Sequence, residues 1–208
     1  MRSKILQIIL IIIFVIDLFL IFNNKIELRF FTKPILLPIL ILIYISKVKS
    51  EKMQLNSFFL AGLVLSFFGD LFLLFNWGFL PGLGSFLLAH LFYIISFKKK
   101  LQKRISKFWP IILSLYASIL LVILFPYLKE MKIPVTIYAV VIAVMMYNAL
   151  KTHNRNLIIG ALLFLISDTL LSVYLFLQPL MILNLLVMAT YILAQLFLVN
   201  GMISNDKD

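Results

Sequence analysis

The chain has 208 residues, 63% of them hydrophobic and only 13% charged, with a mean hydropathy of +1.12. Soluble domains run at about 45–50% apolar and about 25% charged, so composition excludes an ordinary soluble protein, a disordered chain and a nucleic-acid module. The 19 Lys and Arg outnumber the 8 Asp and Glu, yet they sit in short clusters between long apolar runs, the pattern of cytoplasmic loops in a membrane protein.

A membrane span needs about 20 mostly apolar residues. Eight runs meet or approach that length: Ile5–Phe22, Phe31–Ile45, Ser57–Phe75, Phe79–Phe97, Trp109–Leu128, Ile133–Leu150, Leu157–Phe176 and Pro179–Asn200. The second is the shortest. The first follows Arg2 and Lys4 as a signal peptide would, but no small-residue cleavage site follows it, so it reads as a retained helix. The runs are continuous rather than alternating, which argues against a transmembrane barrel. The expected fold is an all-α polytopic membrane protein, one integral membrane domain with no soluble part.

Orientation follows from the basic residues. With the N-terminus inside, the inner segments carry 14 Lys and Arg, six of them in the loop Lys98–Lys107 and one at Lys207, against 5 outside. That asymmetry predicts both termini in the cytoplasm. A bacterial inner membrane is the expected location. Cys is absent and there are two His, His90 and His153. Disulfides, thiol nucleophiles and a three-His zinc site are therefore excluded, and no metal or cofactor is expected.

The third and seventh spans echo each other. Gly62 to Asp70 and Gly160 to Asp168 are both Gly-x7-Asp, offset by 98 residues. Pro34 and Pro134 open the second and sixth spans, and Ala89-His90-Leu91-Phe92 is echoed by Ala194-Gln195-Leu196-Phe197. These matches predict two four-helix repeats, 1–104 and 105–208. Four is even, so the repeats run parallel, related by an axis along the membrane normal around a polar cavity.

Charged residues inside a bilayer cost at least about 2.5–3.5 kcal/mol on insertion scales, so each needs a reason. Asp17, Asp70 and Asp168 fall roughly 16–21 Å from the inner ends of their spans, and His90 roughly 16 Å from the outer end of its own. Lys33 enters from the outer side. All five occupy one slab between the midplane and the outer half. Asp17 is expected to be structural, paired with Lys25, Arg29 or Lys33. Gly62 and Gly160 are expected to be helix-packing positions. Gly62, Ser66 and Asp70 share a helix face, His90 and Tyr93 are three apart, and Asn184, Met188, Tyr191 and Gln195 form another stripe. Asp70 and Asp168 are the expected functional pair.

At these residues the sequence resembles the YhhN-type membrane family, which includes the lysoplasmalogenases. The resemblance rests on Gly69-Asp70-Leu71, Leu80-Pro81-Gly82 and Phe86 to Tyr93, with Thr32-Lys33-Pro34, Gly160 to Asp168 and Tyr191 to Gln195 as further blocks. It spans roughly residues 30 to 200. Two positions depart from the family pattern, at Val173-Tyr174 and Thr190-Tyr191.

The resemblance implies hydrolysis of the vinyl-ether bond of lysoplasmalogens to a fatty aldehyde and a glycerophospho head group. Such a bond is broken by protonating its outer carbon, and water then adds to the oxocarbenium ion. One neutral carboxylic acid and one carboxylate suit that sequence, as in glycosidases. Asp70 and Asp168 would supply them, with His90 and Ser167 orienting the pair or the water. Lys33 would hold the substrate phosphate. Tyr93, Asn184, Tyr191 and Gln195 would line the substrate site. The implied partners are a lysophospholipid and membrane lipids, with no nucleic acid and no obligatory protein partner. The alternative is a transporter or proton-coupled carrier, because parallel repeats and midplane carboxylates also mark transporters. A metal-dependent lipid amidase is disfavoured by the two His, one of them in a loop.

Overall fold

The computed structural model describes residues 2–101 and 105–204. Lys103, Arg104 and Lys207 of the basic segments, and the division at 104/105, lie outside the described residues. Among those residues there are eight α-helices and no strand: α1 (Arg2–Phe22), α2 (Arg29–Ser50), α3 (Ser57–Phe72), α4 (Phe79–Phe97), α5 (Phe108–Leu124), α6 (Lys132–Lys151), α7 (Arg155–Phe176) and α8 (Met181–Ile203). Six are long and apolar enough to cross a membrane by length and composition, while α3 and α5 are shorter apolar helices. Large apolar side chains face outward along them, with Val122 74%, Phe19 63% and Ile8 58% exposed. Surfaces of that kind are covered by lipid in a protein of this composition. The chain is a multi-pass membrane protein.

Three helix boundaries correct the expected spans. The second span is not the shortest, because α2 runs from Arg29 to Ser50 and carries Pro34 and Pro38 inside it. Pro34 therefore does not open α2, whereas Pro134 lies in the first turn of α6, where a missing N–H costs no hydrogen bond. The fifth span ends at Leu124 rather than Leu128, because Pro126 disfavours helix in the residue before it and cannot continue one. The third ends at Phe72. Leu74 and Phe75 then close tight turns onto Leu71 and Phe72.

The chain divides into two compact units, Met1–Ser96 with Met202–Asp208, and Phe97–Gly201. In the first, α1 ends on Asn24 at φ 55°, and Lys25 N–H reaches the Leu20 carbonyl at 2.8 Å. This is the six-to-one closure that a left-handed residue permits after a helix. A 3₁₀ turn, Ile26–Leu28, leads into α2. Asn56 caps α3, its side chain accepting from Phe59 N–H. In the second unit a left-handed Lys129 and a 3₁₀ turn, Lys129–Met131, lead into α6. Asn154 caps α7, accepting from Leu157 N–H. Each cap satisfies one of the amide donors left orphaned at a helix start.

Small residues set the helix packing within each unit. A Cβ built on Gly62 would lie 2.4 Å from the Tyr93 ring of α4, and one on Gly160 would lie 2.9 Å from the Leu198 amide nitrogen of α8. Bilayer helices associate through such close approach, and both glycines have the packing role expected of them.

Candidate active site

In the first unit the buried charged side chains converge on one face of α2. Arg29, Thr32 and Lys33 follow the i, i+3, i+4 spacing that places side chains together. Asp17 of α1, fully buried, accepts from Arg29 Nε and Nη2 at 3.2 Å each and from the Thr32 hydroxyl at 2.6 Å. Of its three expected partners, Arg29 is the one that binds it in this bidentate way. Lys33 Nζ lies 3.4 Å from Asp70 Oδ1, with both side chains buried. Two acids and two bases thus balance within a few turns of helix. Burying such charges is tolerable only when they are paired and hydrogen-bonded. Lys33, expected at the substrate phosphate, directs its ammonium to Asp70.

Asp70 lies in the last turn of α3, below Ser66 and Gly62 on the same buried face. Gly69, beside it, receives the Phe86 ring of α4: a Cβ there would meet that ring at 2.6 Å. Tyr93 packs on Gly62, and its hydroxyl is 3.2 Å from Ser66 Oγ. The His90 ring is fully buried, its centroid 6.4 Å from that of Tyr93. The structure therefore brings Lys33 to Asp70, and His90 to the neighbourhood of Tyr93.

In the second unit the surroundings are hydroxyls. Tyr138 of α6 donates to Asp168 Oδ2 at 2.6 Å. Tyr116 of α5 shares a hydrogen bond with Thr169, the next residue of α7. Asp168, Tyr138, Tyr116, Thr169 and Ser172 border a cavity of about 40 Å³ whose remaining walls are apolar, room for a water or a small group.

Ser167 and Asp168 are adjacent but serve different neighbours. The Ser167 hydroxyl donates to the Val187 carbonyl of α8 at 3.1 Å, while Asp168 meets α6. Tyr191 is buried edge-on against Phe164, with ring centroids 5.4 Å apart. Gln195 is fully buried, and Asn184 is half-buried in the first turn of α8.

Sequence reasoning missed Tyr138, Tyr116 and Thr169. Tyrosines are common in apolar spans, and no spacing within one helix links α5, α6 and α7.

The model of the YhhN family matches residues 28–202. The lysoplasmalogenase TMEM86B of Homo sapiens is 32% identical over 163 residues, 78% of this chain and 70% of that protein. No solved structure matches. Residues 28–202 contain Lys33, Asp70, His90, Tyr138 and Asp168, and leave out Asp17.

Proposed function

The chain belongs to the YhhN family, and from that premise we propose that it hydrolyses the vinyl-ether bond of a lysoplasmalogen, with Asp70 and Asp168 as the acid–base residues. The observation that carries the reading is the pair of carboxyls set inside apolar helices, Asp70 buried and Asp168 half-buried. Each sits beside a group that suits one half of the chemistry. The named activity of the human relative supplies the reaction.

The step balances as follows. A carboxylic acid gives its proton to the outer vinyl carbon, and the C=C pair forms the new C–H bond. The inner carbon and the ether oxygen then share the positive charge of an oxocarbenium ion. Water adds to that carbon and loses a proton to a carboxylate. The hemiacetal collapses, its C–O bond breaks, and aldehyde and glycerol hydroxyl leave, the proton of the hemiacetal hydroxyl passing to the departing oxygen. One water is consumed and no electrons are exchanged.

We assign the acid to Asp168 and the permanent carboxylate to Asp70. Lys33 beside Asp70 compensates a standing negative charge. Tyr138, donating to Asp168 Oδ2, stabilises the carboxylate that remains once the proton is given. Lys33 is then a positioning residue for Asp70. His90 and Ser167 act on orientation, and Tyr93, Tyr191, Asn184 and Gln195 on the shape of the site. Preorganised charge of this kind is where most of an enzyme's barrier reduction arises.

The same reading treats 1–104 and 105–208 as two repeats. It is supported by the capping Asn that begins each aspartate helix, Asn56 before Asp70 and Asn154 before Asp168, at the same offset of 98.

The test is aldehyde release by the purified protein from a lysoplasmenyl lipid. The wild type releases aldehyde, and Asp70→Asn and Asp168→Asn each lose about 10²–10⁴-fold in rate while eluting as folded protein. Full activity in either variant sinks the acid–base assignment. Transfer of the intact lipid across liposomes without aldehyde sinks the hydrolase.

A further inference from the structure

Between α5 and α6 of the second unit lies an open slot of about 320 Å³. It is lined by Pro110, Ser114, Ala117 and Leu121 on one side and by Ala143 and Tyr147 on the other. These α5 residues recur at i, i+4, i+7 and i+11, one face of a helix. Their partners on α6 are four apart. The slot exists because the facing positions are small: Ser114, Ala117 and Ala143 are too short to fill the space between two helices. Its floor is buried at Leu113, Ala117 and Ala143.

Two physical arguments choose the occupant. Apart from the hydroxyls of Ser114, Ser118 and Tyr147 the lining is Pro, Leu, Ala and Val, so most of the slot gives water none of the two to four polar partners it needs. An unfilled slot forfeits dispersion contacts along its lining. Within a bilayer the material that fills such a slot is a hydrocarbon chain. Length agrees: Pro110 to Leu121 rises about 16 Å along the helix, about half of a hydrocarbon core about 30 Å thick, the reach of a single lipid chain.

The slot lies beside the Asp168 cavity. Ala117 and Leu121 line both it and the smaller cavity at Asp168 and Tyr138. We propose that the α5–α6 slot is the binding site for the alkenyl chain of the lysolipid substrate, with Ala143 and Ser114 setting the chain length that fits. The vinyl ether stands at the head of that chain. A tail lying along the slot from Tyr147 toward Leu121 brings its first carbons to the carboxyl end, where the outer vinyl carbon takes its proton. This rests on the hydrolase reading for its chemistry, but the binding of a chain is testable without turnover.

Two measurements decide it. The first is photo-crosslinking of the wild-type protein with a lysophospholipid whose chain is a non-hydrolysable alkyl ether ending in a diazirine. The expected labels fall on peptides carrying Ser114, Ala143 and Tyr147, and they are competed by unlabelled lysolipid. Label spread evenly over the lipid-facing side at Val122, or label that is not competed, overturns the site. The second is the chain-length profile of aldehyde release. Ala143→Phe and Ser114→Phe each raise KM for a long-chain substrate on the order of tenfold relative to a short-chain one, the scale at which a pocket discriminates single methylenes. Val122→Phe, on the exposed face of α5, leaves the profile unchanged. If both slot variants keep the wild-type profile, the inference fails while the hydrolase stands. If the wild type releases no aldehyde but the competed labels fall in the slot, the hydrolase fails while the chain site stands.

Discussion

The two aspartates have the same register in their helices and different company. Asp70 sits beside the ammonium of Lys33, which α2 carries together with the Arg29 bound to Asp17, so its surroundings are ionic and balanced. Asp168 accepts from a phenol, with a second phenol bonded to the neighbouring threonine and an apolar space beyond. A capping Asn begins each aspartate helix at the same distance before the carboxyl, while the partner of the carboxyl differs. The backbone frame therefore fixes where a carboxyl stands, and the facing helix fixes what that carboxyl is prepared to do. An ion pair suits a charge that is permanent. A neutral donor beside a small cavity suits a group that hands over a proton and takes it back.

The sharpest way to break this contrast is to remove the ammonium. Lys33→Met leaves the Asp70 carboxylate buried without its counter-charge. Truncating one member of a buried pair costs about 3–5 kcal/mol. The expected result is a large drop in the midpoint of thermal aggregation in detergent, with Lys33→Arg retaining most of the stability. The double variant Lys33→Met/Asp70→Asn recovers part of what Lys33→Met alone loses, because no charge is then stranded. A double variant as unstable as the sum of the two singles would show that the 3.4 Å contact carries no coupling.

The Tyr138 hydroxyl is the matching target in the second unit, and its removal is milder. Tyr138→Phe deletes a neutral donor and leaves the ring in place. One hydrogen bond to a charged group is worth about 1.5–3 kcal/mol, so the expected loss in kcat is on the order of ten- to a hundredfold, with a near-normal KM. Stability changes little, since the cavity beside Asp168 has room for a water to replace the hydroxyl. A Tyr138→Phe variant that unfolds like Lys33→Met would erase the distinction between an ionic and a proton-transfer environment.

These partners also mark what was legible in the sequence. A carboxylate in an apolar run is conspicuous because of its cost, so Asp17, Asp70 and Asp168 were visible at once. The helix α4 was read to the residue, Phe79–Phe97, because Gly78 precedes it and the Lys run follows. Proline was the commonest source of error. Pro34 looked like a helix start, yet neighbouring helices tolerate it inside a span, and Pro126 was passed over although it ends α5. The partners of the aspartates were hidden for a different reason. Lys33 and Asp70 are 37 residues apart and Tyr138 and Asp168 are 30 apart, and no periodicity within one helix records a contact between two.

The caps carry the smallest effect and the cleanest comparison. Asn56 and Asn154 do the same two things. Each accepts from the amide three residues on, at 3.1 Å. Each also donates its Nδ2 to a backbone carbonyl of the following helix, Ser96 at 3.5 Å for Asn56 and Gly201 at 3.4 Å for Asn154. Those carbonyls are 105 residues apart, the offset already seen between Ala89 and Ala194. Asn→Ala at either site removes both bonds and costs about 0.5–2 kcal/mol. Asn→Asp keeps the acceptor, which a helix N-terminus favours, and removes only the donor. Measured by denaturation in detergent, the two Ala variants should match each other, and each Asp variant should lie between its Ala variant and the wild type. Two caps of clearly unequal worth would mean that the frame, and not only the partner of the carboxyl, differs between the units. Their likeness would then be one of sequence without one of energetics.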